Sequence, residues 1–395
     1  MPKLDLSNYE GGREPALVKH SLLETYLPDL VYRVGRTWDS FAYVDGFAGP
    51  WKTQDPTHAD SSFAIAVDAL RQAQVGLRNV HGREIHVTCI LVEQNNVAFA
   101  ELERFASRET TANFEVHAIH GEFINTIPAI DQIAKGGSRD PFKFVLLDPT
   151  GWAQVPMEKL KSFLNERSSE VLVTLMIRDI NRFLGEEDRA ESYRQLFGRP
   201  GVLERLRNTS EDRAEQAVLE YSQSLKELCN FKHVSAAVVL EPNKESIRYF
   251  LVYGTKHHRG IEVFKAAEMK AAMIQDDVRH EAHIQKTRQP DLAFDSDPPK
   301  SRKALALQSR YAEIARKKVV ALLAANTNPA GVEYKDLFCE AMFFPLVTPS
   351  DLVGWLEALE PGVEIQLAGL RTRRKPKPSE DFRAVVINPK VLAQA

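Results

Sequence analysis

The sequence has little cysteine. Cys89, Cys229 and Cys339 are scattered over 395 residues and form no CxxC pair. That excludes zinc fingers, Cys-ligated iron–sulfur clusters and a disulfide framework, and it points to a reducing, cytoplasmic compartment. Long apolar runs are missing too. No stretch of about 18 apolar residues occurs, so no membrane span is expected, and Met1 to Gly11 lack an apolar signal core. There are no internal repeats and no long low-complexity tract. Nor does charge of one sign dominate: 51 basic residues face 54 acidic ones, a formal net charge of -3. A chain so balanced does not coat nucleic acid along its whole surface.

What is present is ordinary for a globular protein, 44% hydrophobic and 27% charged. At roughly 100–200 residues per domain the length predicts two or three domains. The overall balance hides an asymmetry. Residues 300–395 hold 15 basic and 10 acidic residues, whereas residues 1–299 hold 36 and 44. Between the two parts, Gln289 to Ser301 is rich in Pro and Asp, as a linker is. The expected division is therefore 1–288, a linker over 289–303, and 304–395.

The larger part alternates apolar runs with helical spacing. Strands are expected at Phe41–Phe47, Ile85–Val92, Phe114–Ile119, Phe142–Leu147, Val171–Ile177, Val234–Leu240 and Ile247–Tyr253. Helices are expected at Ser62–Gln74, Asn95–Ser107, Phe123–Ala134, Met157–Asn165 and Ala214–Leu228. This alternation implies right-handed crossovers and a mainly parallel α/β sheet covered on both faces. Five parallel strands and a terminal hairpin is the Rossmann-like layout of class I methyltransferases; a plain doubly wound fold fits the pattern nearly as well. The smaller part reads as three helices (Leu305–Ala324, Tyr334–Phe343, Pro349–Glu360) and two short strands (Glu364–Leu367, Ala384–Ile387). With the extended basic loop between the strands, this describes a winged helix-turn-helix.

Chemistry gathers where the strands end. Asp45-Gly46-Phe47-Ala48-Gly49 closes the first strand with small residues that let backbone approach a ligand, and Asp45 can receive an ammonium group. The stretch resembles motif I of S-adenosylmethionine-dependent methyltransferases, with Asp45, Phe47 and Gly49 in the matching positions. A simple tight turn is the alternative. Glu93 ends the second strand, where a carboxylate accepts ribose hydroxyls or caps a helix. Glu122, after the third strand, is placed near an adenine edge or in a polar loop. Asp148-Pro149, after the fourth, resembles the catalytic motif of amino-methyltransferases, in which an acidic side chain and a following carbonyl hold the target amine. Trp152 is suited to stack on a flat base. Arg178 and Arg182 follow the fifth strand and suit phosphate, or a solvated helix start. Lys256-His257-His258-Arg259 lacks partners at metal-ligand spacing and reads as a solvated or substrate-facing turn. In the basic loop, Arg371, Arg373, Arg374, Lys375, Lys377 and Arg383 face only Glu380 and Asp381. Prolines at 376 and 378 stiffen this arm for phosphate contact.

Four stretches, K-H-S-L-L-E-T-Y-L (Lys19 to Leu27), Y-V-D-G-F-A-G-P (Tyr43 to Pro50), L-L-D-P-T-G-W (Leu146 to Trp152) and E-V-L-V-T-L-M-I-R-D-I-N-R-F (Glu170 to Phe183), in this order and spacing, resemble the three-Cys-motif partner protein family of bacteria. The resemblance spans about Lys19 to Met273, and a winged C-terminal region is typical as well. It implies a methyltransferase-like Rossmann fold and association with a radical-type protein bearing three cysteines. The chain departs from the family at Trp51, often Gly there, and at Thr150, commonly aromatic.

The leading expectation is a methyltransferase that uses S-adenosylmethionine on a flipped or single-stranded base. Asp45 and Gly49 hold the methionine end, Glu93 the ribose and Glu122 the adenine edge, while Asp148, Pro149 and Trp152 hold the acceptor. The alternative is an inactive nucleotide- or nucleic-acid-binding partner protein of a mobile-element or defence system. A nuclease needs clustered metal-binding carboxylates, and no convincing set is present; no metal is expected. If the arm carries nucleic-acid affinity, replacing Arg373, Arg374 and Lys375 by Glu abolishes salt-sensitive binding in a filter assay and leaves cofactor binding intact.

Overall fold

The computed structural model of the chain describes residues 9, 13–49, 53, 55, 58–136, 140–151, 154–176, 190–209, 212–287, 300–359, 362–366, 377–378 and 382–392. The apolar runs become a seven-stranded sheet. β1 (Ser40–Asp45), β2 (His86–Glu93), β3 (Phe114–His120), β4 (Phe142–Leu147) and β5 (Ser169–Leu175) are parallel, and the hairpin β6 (His233–Leu240) and β7 (Ile247–Thr255) completes the order β3-β2-β1-β4-β5-β7-β6. β7 is antiparallel to both its neighbours. Every residue of β1, β4 and β5 is buried, as expected for strands with helices on both faces.

The covering helices are α1 (Glu14–Val34), α2 (Ser62–His81), α3 (Asn96–Glu109), α4 (Phe123–Lys135), α5 (Met157–Leu164), α6 (Ala190–Phe197), α7 (Val202–Asn208), α8 (Arg213–Cys229) and α9 (His258–Thr287). Short polar residues start them. Ser61 accepts from the Ala64 N–H to cap α2, and Asn95 accepts from Val97 and Ala98 to cap α3. Among the described residues no helix is long and apolar enough to cross a membrane.

Residues 302–392 form α10 (Arg302–Ala324), α11 (Tyr334–Ala341), α12 (Pro349–Ala358) and α13 (Pro389–Leu392), with a three-stranded antiparallel sheet ordered β8 (Val332–Glu333), β10 (Arg383–Val386), β9 (Val363–Gln366). α10 begins inside the stretch expected to be linker. Thr348 and Asp351 cap α12 reciprocally. Arg383, placed in the basic arm on its sequence, donates instead to Glu333 at 2.6 Å, across from β10 to β8. This unit is joined to the edge of the large sheet. The Ala236 N–H donates to Phe343 O at 3.0 Å and the Ser235 hydroxyl to Met342 O at 2.6 Å, so β6 does not offer a bare edge there. Behind the joint, Lys265 and Glu268 form a buried ion pair that also holds Phe344 O (3.0 Å) and the Leu346 N–H (2.8 Å). One apolar core runs through both parts.

A buried carboxyl ties α1 to the sheet. Glu170, near the start of β5, bonds to the Tyr26 hydroxyl and accepts from Thr255 Oγ1 at 2.8 Å, and the Tyr26 and Tyr253 hydroxyls lie 2.8 Å apart. Burial raises the Glu170 pKa. α9 passes so close to this network that a Cβ at Gly260 would lie 2.5 Å from Thr255 Oγ1 and 2.7 Å from Glu170 Oε1. Gly260→Ala is expected to destabilise the fold by about 1–3 kcal/mol through overpacking, read as a lower urea midpoint at unchanged m. An unshifted midpoint would show that the network gives way freely.

Candidate functional site

The strand order reverses beside β1, with β2 on one side and β4 on the other. At such a switch point the loops leave a crevice outside the carboxyl ends of the strands. The chain crosses it as Gly46-Phe47-Ala48-Gly49 and is bound to both sides. The Gly46 N–H donates to Leu146 O at 3.0 Å and the Ala48 N–H to Val92 O at 2.9 Å. A Cβ at Gly46 would lie 2.9 Å from the Phe123 ring and 3.1 Å from Leu147, so close packing demands glycine here.

Asp45 is fully buried beneath this loop. Its carboxylate accepts from the Phe47 N–H at 3.0 Å and from the Ser62 hydroxyl at 3.2 Å. Burial pushes its pKa up to about 6, against the opposing pull of the Phe47 N–H and Lys19.

Two cavities meet at Phe47 and Asp148. The larger, about 490 Å³, is walled by Phe47, Glu93, Glu122, Phe123, Asp148 and Thr150 among others. Glu93 is buried at the end of β2, and its Oε1 accepts from the Asn95 N–H at 2.6 Å. Its main-chain oxygen accepts from the Gly121 N–H at 3.0 Å, where a φ of +146° suits glycine. The Phe47 and Phe123 rings lie 5.8 Å apart and give an apolar flank. Glu122 is exposed at the N-terminus of α4 and accepts from the Asn125 amide at 3.1 Å.

The smaller cavity, about 270 Å³, is polar, with Arg13, Lys19, His20, Asp60, Asp148 and Arg248 in its walls, together with Gly49. Its charges are paired. Lys19 of α1 bridges to Asp148, Arg13 to Asp60, and Arg248 to Glu241 at 3.0 Å. His20 is buried, with Nδ1 2.8 Å from the Tyr9 hydroxyl. Burial, and then Lys19 and Arg13, hold its pKa well below the usual imidazole range, so the ring is neutral.

Of the residues singled out on the sequence, Phe47, Gly49, Glu93, Glu122 and Asp148 reach the cavity walls. Pro149 is buried and lines neither cavity. Asp45 lines neither cavity; one of its oxygens accepts from the loop at Phe47 and the other from Ser62 at the start of α2. Trp51, Trp152, Arg178, Arg182, Arg371, Arg373, Arg374 and Lys375 lie outside the described residues, and Lys377 is exposed. Sequence reasoning assigned no role to Lys19, His20 or Arg13. Their signal was available: Lys19 and His20 interrupt a helix whose neighbouring positions Leu17, Val18, Leu22 and Leu23 are all buried.

No protein-family model and no curated protein matches the chain. Among solved structures it is similar to a DUF574 family protein from Streptomyces avermitilis, at 10% identity over 61% of this chain and 83% of that one, with a TM-score of 0.32. It is also similar to an O-methyltransferase from Bacillus cereus in complex with SAH, at 13% identity over 59% and 80%, with a TM-score of 0.31. A third is loganic acid methyltransferase with SAH, at 8% identity over 72% and 92%, with a TM-score of 0.30. Likeness at this level does not bear on activity.

The buried Asp45 has a consequence for stability. Its pKa is about 6 in the folded chain and about 3.9 when unfolded. Between those values the native state binds more protons, so unfolding free energy falls as pH rises through that window and is level above it. Asp45→Asn removes this slope, worth at most about 3 kcal/mol. Urea unfolding of both forms at about pH 4.5 and about pH 7.5 checks it; equal pH dependence would refute the raised pKa.

Proposed function

We propose that the chain is an S-adenosylmethionine-dependent methyltransferase of the class I fold that acts on nucleic acid. The observation that carries this reading is the pair of cavities at the sheet's switch point, joined at Phe47 and Asp148, with Glu93 in the larger. Three of the stretches that resemble the three-Cys-motif partner family supply these walls, through Lys19 and His20, Phe47 and Gly49, and Asp148 and Thr150.

The larger cavity fits the cofactor in size and in its donor set. Glu93, fixed by Asn95, accepts the ribose hydroxyls. Phe47 and Phe123 flank the nucleoside, and Glu122 lies toward the adenine edge. Asp45 acts at one remove, by holding the loop. When bound, S-adenosylmethionine supplies an electrophilic methyl group on a sulfonium.

The smaller cavity takes the acceptor. Asp148 accepts an N–H of the target amine, and its ion pair with Lys19 holds that carboxylate in position. Neutral His20 adds no further positive charge beside Lys19 and Arg13. Rate enhancement then comes mainly from aligning the nucleophile across the junction. Residues 304–395 form a winged unit that adds affinity through its basic arm, and a radical-type three-Cys-motif protein is the proposed partner in the cytoplasm. One observation favours a second reading, a nucleotide-binding protein without transfer activity: Asp45, expected to hold the amino end of the cofactor, is turned into its own loop.

Calorimetry tests the cofactor assignment directly. Micromolar binding of S-adenosylmethionine is expected, weakened at least about tenfold by Glu93→Ala as charge-assisted hydrogen bonds are lost. Absence of binding, or indifference to Glu93, would falsify the assignment. Binding without methyl transfer to DNA or RNA would select the second reading.

A further inference from the structure

The His257-His258 turn lies far from the cleft. Because β7 runs against β5, its last residues pair with the beginnings of β5 and β6, Gly254 with Val171 and Thr255 with His233. The turn is therefore at the opposite end of the sheet, roughly 20 Å along β5 from the cavities at about 3.3 Å per residue.

Three imidazoles gather there. The His257 and His258 rings are 4.2 Å apart and those of His233 and His258 6.5 Å. The charged groups acting on them are Lys226 from the end of α8, Lys232, Arg259 of α9 and Lys335 of α11, all cationic. Lys335 is paired with Glu333, which it shares with Arg383. Lys226, Lys232 and Arg259 are exposed, and among the described residues no carboxylate pairs with them.

Three features of this end are unfavourable as they stand. α9 is 30 residues long and opens with His258 and Arg259, with no acid in its first turn, so the Arg259 cation sits at the positive end of the helix dipole. Like charges from four segments converge. His258 Nε2 is shut away from solvent without a hydrogen-bond partner. Burial and the surrounding cations hold His233 and His258 down to about 4, so these rings are neutral N–H donors at physiological pH. One kind of ligand relieves the charge crowding and the dipole together, an oxyanion. Metal chemistry does not fit: among the described residues no set of three or more His, Cys, Asp and Glu side chains is placed to hold an ion.

We propose that this end of the sheet binds the phosphodiester backbone of nucleic acid, on a surface shared by α8, the start of β6, α9 and α11. The exposed cations come from separate segments, the end of α8, the residue before β6 and the start of α9, which suits a polymer with repeated phosphates. Strand length separates this surface from the cavities, so it anchors the polymer and does not present the target. The proposal does not depend on which cofactor the cleft holds, and calorimetry with S-adenosylmethionine tests that assignment separately.

The test is fluorescence polarisation of the full chain with labelled DNA and RNA strands of about 20 nucleotides across a salt series. Lys226→Glu with Lys232→Glu is expected to weaken binding at least tenfold and to reduce the log–log salt slope by about two. Lys226→Gln with Lys232→Gln should fall between, with an unchanged circular dichroism spectrum guarding against misfolding. Parental affinity and slope in both double variants would overturn the proposal. So would a parent chain that ignores both strands while inorganic phosphate alone raises its melting temperature, an outcome that marks a small-anion site.

Discussion

The loop after β1 has to cross between the two halves of the sheet with its polar atoms shut away from water. A buried donor or acceptor left unmade costs about 1–3 kcal/mol, and here the Asp45 carboxylate and three loop N–H groups are met. Asp45 accepts from Phe47 N–H and Ser62, Gly46 donates to the end of β4, and Ala48 donates to the end of β2. This arrangement holds Phe47, which stands in the walls of both cavities where they meet. The geometry of the cleft thus depends on a carboxyl group that does not touch it.

α1 supplies the second constraint. It brings Lys19 and His20 over the carboxyl ends of the strands, anchored from below by Tyr26 on Glu170. Removing one partner of such a pair leaves a poorly solvated charge, which is strongly destabilising. Among the described residues, Lys19 with Asp148, Arg13 with Asp60 and a neutral His20 leave no isolated buried charge in the smaller cavity. The far end of the sheet is built the other way. There Lys226, Lys232 and Arg259 crowd around imidazoles with no paired carboxylate among the described residues. The two ends are thus prepared for different ligands.

The strands were readable because they are covered on both faces, which leaves near-continuous apolar runs bounded by polar turns; observed bounds differ from those read by a residue or two. α1 and α9 were not read. The first half of α1 is buried from Leu17 to Leu23, including Lys19, His20 and Ser21, and Pro28 sits inside it. A helix enclosed on several sides shows no clean stripe, and a proline in its middle argues against it. β8 has two residues, too few for any pattern to show. The strand Arg383–Val386 was read, but its pairing with β8 was not, and that pairing draws Arg383 out of the basic arm.

By itself the sequence determined which chemical groups stand at the ends of which strands: Asp45, Glu93 and Asp148 follow from apolar runs and the polar residues that close them. Only the tertiary structure decided which of these groups face the cleft. A strand end fixes where a residue's backbone lies. Where its side chain points depends on the hydrogen bonds that packing makes available. Asp45 found the Phe47 N–H and Ser62 and turned inward. Asp148 found a lysine 129 residues away in sequence and stayed at the junction, a pairing that no local pattern encodes because it exists only once α1 lies across the sheet.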